Sequence, residues 1–119
     1  MALIERLEAA TEGSRALDDA VAHATGNAHQ VEVGDAPDIL YTPEYPGGGM
    51  RCNPPRFTTS IEMALTLMPV GWQAILYTET FVAELYDSAS NPRRGIQHRV
   101  GSGTLPLALC IAALKARAA

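Results

Sequence analysis

The chain has 119 residues, with nine Lys and Arg against thirteen Asp and Glu, a net charge of −4 and a pI near 5.2. That length suits a single hydrophobic core spanning residues 1–119, and 47% hydrophobic against 18% charged residues excludes a chain that stays disordered. An acidic surface repels phosphate backbones unless its few cations gather on one face, so nucleic acid is disfavoured as a partner.

The opening "MALIERLEAATEG" mixes charged and apolar residues without a basic region and a long apolar core, so it does not read as a signal peptide. Leu3, Ile4 and Leu7 share one face of a first short helix, which Gly13 interrupts. Ser14 caps a second helix, in which Leu17, Ala20, Val21 and Ala24 recur at helical spacing. Gly26 supplies its stop, and Arg15, Asp18, Asp19 and His23 fall on its polar side.

Gln30 to Val33 reads as a short strand. Residues 34–55 carry so many Gly and Pro that they read as one long loop, the kind that tends to carry function, with Ile39, Leu40, Tyr41 and Tyr45 available to pin it. Thr59 followed by Glu62 has the spacing of a capping box for a third helix. Ile61, Ala64, Leu65 and Met68 form its apolar side, and Pro69 with Gly71 ends it.

From Trp72 to Tyr86, β-branched and aromatic residues alternate with period two over a span too long for one strand, so a hairpin turning near Glu79 is expected. "DSASNPRRG" is a polar connection, and Ile96, His98 and Val100 share one face of a third strand. Thr104 caps a last helix with Leu107, Cys110, Ile111 and Leu114 along one side and Pro106 in its first turn. Its apolar run is shorter than the roughly 20 residues a bilayer requires, and two cysteines make no disulfide framework, so no membrane and a cytoplasmic location are expected. The order α, α, loop, α, β, β, β, α describes an α+β fold: a three-stranded antiparallel meander packed with N- and C-terminal helices.

Three segments, "ALIERLEAATEGSRALDDAVAHATG", "PPRFTTSIEMALTLMPVGW" and "LPLALCIAALKARA", resemble the small proteins of the phage ABA sandwich domain family. Nearly the whole chain is covered in order, and the central segment is the most distinctive. Phe57 stands where that family commonly has Tyr, and Val70 where it commonly has Glu before Gly-Trp. The resemblance implies an α-β-α sandwich from a phage or integrated prophage in a bacterial host, and it brings no catalytic residues.

Chemistry-bearing residues are sparse. His23, His29, His98, Cys52, Asp35, Asp38 and Glu44 offer metal ligands by type, but no CxxC, HxxxH or HExxH appears, so no metal and no cofactor is expected. Ser60, Ser88, Ser90, Ser102, Cys52 and Cys110 lack a nucleophile elbow or a base nearby. "YPGGGMR" and "RVGSGT" match neither phosphate-binding glycine pattern, although the backbone near Gly101, Ser102 and Gly103 precedes a helix and can face an anion. The element order from Thr59 onward follows double-stranded RNA-binding domains, yet the last helix begins "TLPLAL" without a cation.

The first expectation is therefore a non-catalytic accessory protein that binds a phage or host protein or forms a homodimer. Tyr41, Tyr45, Tyr77 and Tyr86 are its interface candidates, and an exposed strand edge is a further means of pairing. The alternative is a small-ligand or nucleic-acid module using Arg93, Arg94 and Arg99 with the turn from Gly101 to Gly103. An enzyme ranks below both.

Overall fold

The computed structural model describes residues 3–33, 36–42, 48–87 and 98–118. In chain order the elements are α1 (Leu3–Ala9), α2 (Arg15–Ala24), β1 (Ala28–Val33), β2 (Ala36–Tyr41), α3 (Ile61–Leu65), β3 (Trp72–Tyr77), β4 (Val82–Asp87), β5 (His98–Gly101) and α4 (Leu105–Ala118). The fold is α+β, with a three-stranded antiparallel sheet in the order β3-β4-β5 and helices from both ends of the chain flanking the strands, consistent with a sandwich.

α4 organises the molecule. Its sequence is apolar on every side, and a helix of that kind is stable only when surrounded. It packs against β4 and β5 on one side and against α1 and α3 on another. Leu105, every residue from Leu107 to Leu114, and Ala116 are buried, so the single apolar side expected from spacing is corrected to an enclosed helix. Each fully buried Leu contributes about 1.5–3 kcal/mol. No described helix is long and apolar enough to cross a membrane.

α2 forms where the spacing places it. The Ser14 side chain accepts from the Leu17 N–H, and Gly26 takes the left-handed conformation (φ 77°) beyond the helix end. Its expected polar side needs correction at Asp18, which is fully buried. One Asp18 oxygen accepts from the Thr58 N–H at 2.8 Å and the Thr58 hydroxyl at 2.6 Å, while the other accepts from Arg15 at 2.8 Å. Arg15 also donates to the Pro54 carbonyl. This network fastens residues 54–58 to the start of α2. The backbones approach so closely that a Cβ on Gly13 would lie 2.1 Å from the Thr58 carbonyl oxygen.

The loop expected over residues 34–55 is corrected at its start, where β2 pairs antiparallel with β1 from Ala28–Tyr41 to Val33–Ala36. Among the described residues β1 and β2 form a two-stranded ribbon, and an edge strand tolerates Pro37 although it has no N–H to donate. Tyr41 also bridges to Arg51, drawing the chain back toward the core. Tyr45 lies outside the described residues, as do Ile96, Arg93 and Arg94.

The capping box at Thr59 is also corrected. Ser60 is the cap of α3, accepting from the Met63 N–H at 3.3 Å, and the helix lasts five residues. Because turns follow Leu65, helical spacing does not carry on to Met68. Ile61 and Leu65 are exposed, while Ala64 and Leu67 enter the core.

Candidate protein-binding surface

The sheet has one face on the core and one turned away from it. Along β3, Trp72, Ala74 and Leu76 pack against the core, while Gln73, Ile75 and Tyr77 are exposed. Strand side chains alternate between faces and directly opposed residues share one, so pairing carries the outer face across the sheet. Gln73 lies opposite Tyr86, Ile75 opposite Glu84, and Tyr77 opposite Val82. Glu84 in turn lies opposite Arg99, and Val82 opposite Gly101.

Ile75 and Tyr77 are 43% and 44% exposed, large values for such side chains within a sheet. Beyond them the four-residue connection from Thr78 to Phe81 closes the hairpin, as expected near Glu79. Phe81 ends that connection at φ 53°, a left-handed backbone that L side chains rarely adopt. Glycine is the usual occupant of such a turn position; here a 43% exposed phenylalanine takes it. The Ser102 N–H donates to the Phe81 carbonyl at 3.2 Å and fixes the turn against the end of β5.

Glu84 sits at the middle of this face and is only 3% exposed. One carboxylate oxygen stands 3.6 Å from Arg99 Nε, and the other is buried without a hydrogen-bond partner. Glu84 raises the pKa of the Tyr77 hydroxyl, first through hydrogen bonding and then through its charge. The Tyr86 hydroxyl donates to Gln73 at 2.6 Å, tying β3 to β4 on the same face.

The structure therefore brings Tyr77, Tyr86, Arg99 and Gly101 onto one surface, although the sequence reading divided them between a protein interface and an anion site. Tyr41 is corrected: it is on β2 and only 6% exposed, its hydroxyl donating to Asp19, so its ring is unavailable to a partner in this fold. Arg99 is mostly exposed but faces Glu84, which offsets its charge. Gly103 abuts the backbone of Thr11, whose carbonyl oxygen would lie 2.2 Å from an added Cβ. The turn thus has a close-packing role. The start of α4 is capped internally, Thr104 Oγ1 accepting from the Leu107 N–H at 3.4 Å.

The remaining candidates are placed apart from this surface. His98 is half-buried and stacks on Trp72 with 5.7 Å between ring centroids. His29 Nε2 lies 3.0 Å from the Thr42 hydroxyl, and His23 meets Tyr41 edge-on. Among the described residues no three His, Cys, Asp or Glu side chains gather to hold a metal ion. Cys52 is exposed; Cys110 is buried with its thiol donating to the Phe57 carbonyl at 3.0 Å, and burial raises its pKa. Ser60 serves as a helix cap.

Sequence reasoning missed Ile75 and Glu84 as members of this face and Phe81 as the exposed residue of the adjoining turn. The period-two alternation that placed Tyr77 also places Ile75, so that signal was present. Nothing local marks Phe81 as left-handed or Glu84 as buried. No family model matches the chain, and neither a curated protein nor a solved structure matches it.

Proposed function

We propose that this chain is a non-catalytic accessory protein that acts by binding another protein or another copy of itself, in the phage or prophage setting suggested by its sequence resemblance. The observation that carries this reading is the exposure of Ile75 and Tyr77 together on one face of β3, with an exposed Phe81 in the hairpin turn that follows. Exposed apolar and aromatic side chains grouped on one face mark interaction surfaces, whereas single ones do not. Tyr77 combines a large contact area with a hydroxyl and few rotatable bonds, which suits an interface centre.

A photocrosslinking amino acid placed at Tyr77, and separately at the exposed helix position Glu8, tests the reading in the host cell. Products at position 77 and none at position 8 are expected. Equal labelling at both positions, or none at 75, 77 and 81 tested in turn, would overturn it.

A further inference from the structure

We infer that the partner is a second copy of this chain, paired edge to edge through β3, with the hairpin tip of each copy seated at the start of the other copy's β3. The inference rests on the binding reading above and supplies its partner.

β3 is an outer strand of its sheet, and among the described residues no further strand pairs with it. Exposed edges are usually protected by charge, proline, a bulge or short length. β3 reads WQAILY over six residues, with no charge and no proline. The opposite edge, β5, has four residues and carries His98 and Arg99. Among the described residues of this sheet, the β3 edge is the one without these protections.

The two ends of β3 are complementary. At its start is a groove of about 620 Å³ lined by Pro69, Trp72, Asp87, Ala116 and Arg117, with the fully exposed Val70 nearby in the chain. At its finish is the tip formed by Thr78 to Phe81, bearing the exposed Phe81 and one charge, Glu79. Antiparallel pairing about a two-fold axis at Ile75 sets Ile75 opposite its own counterpart and Gln73 of one copy opposite Tyr77 of the other, so that exposed-face residues meet exposed-face residues. Each tip then runs beside the 69–71 turn of its mate, and the contact occurs twice, as an isologous interface requires. Glu79 approaches Arg117, whose guanidinium donates one hydrogen bond to the Leu67 carbonyl at 3.1 Å and has further N–H groups to offer. Asp87 already interacts within its own chain.

Sedimentation velocity over a concentration series tests the pairing. The wild-type chain is expected at twice its 12.7 kDa mass. Ile75→Lys places a charge on the edge at an exposed position and is expected to give single chains with an unchanged circular dichroism spectrum. Phe81→Gly relieves the left-handed backbone, so it is expected to keep or raise the Tm while weakening the dimer by about tenfold or more. Glu79→Arg and Arg117→Glu chains should each remain single, yet form a heterodimer when mixed, because every tip-to-groove contact then joins opposite charges.

Single wild-type chains up to about 1 mM would overturn the inference, as would a dimer indifferent to Ile75→Lys or a charge-variant mixture that stays single. Crosslinks from Tyr77 to a different protein, alongside single wild-type chains, would preserve the binding reading and eliminate this inference alone.

Discussion

Three adjacent hydroxyl residues, Thr58, Thr59 and Ser60, have three different fates. Thr58 is buried and donates to Asp18, Thr59 is exposed, and Ser60 caps α3. Capping spacing alone selects Thr59, because it scores position along the chain and is blind to what lies across from it. The deciding neighbour is Asp18, forty positions away. Thr58→Val leaves that buried carboxylate one donor short and is expected to cost about 1–3 kcal/mol in urea unfolding, while Thr59→Val stays within about 0.5 kcal/mol. Equal effects at the two threonines would refute the buried network. The same dependence explains why Asp18 reads as a surface residue in sequence: its spacing is polar, and only its donors make burial tolerable.

At the scale of the element, the β1–β2 ribbon shows how a strand can be hidden in a sequence full of breakers. Gly34, Pro37 and Pro43 conceal β2, yet Ile39, Leu40 and Tyr41 complete it because β1 lies alongside to receive its hydrogen bonds. Tyr41 attaches the ribbon to α2 through Asp19. Its pKa is raised to about 12, chiefly by that hydrogen bond and then by burial. A raised acid pKa means that folding favours the neutral phenol, so the contribution is complete below about pH 10 and declines as pH climbs through 12. Wild type is therefore expected to lose stability relative to Tyr41→Phe between pH 9 and pH 12 in urea titrations. A difference between the two proteins that stays constant over that range would exclude the coupling. The β3–β4 hairpin, by contrast, was legible from alternation alone, since its strands are neighbours in sequence.

Across the whole molecule, the core gathers around α4, whereas among the described side chains the β1–β2 ribbon contributes little beyond Tyr41 and the half-buried Ala28. Regions with few buried apolar contacts open at lower free energy than the core. Amide exchange in β1 and β2 is accordingly expected to be about a hundredfold faster or more than in the middle of α4. Comparable protection in both would mean that the ribbon belongs to the cooperative core.

The sequence by itself determined the α+β class, the cap and stop of α2, the hairpin around Glu79 and the start of α4. These follow from hydrophobic period, capping side chains and turn residues, all of which act between residues close in the chain. Only the tertiary structure decided that α4 is enclosed, that Asp18 is buried, that residues 36–41 form a strand and that Glu84 is buried. Those outcomes depend on which distant backbone supplies a hydrogen bond and which helix covers a face, and burial follows from that assembly, beyond the reach of local pattern.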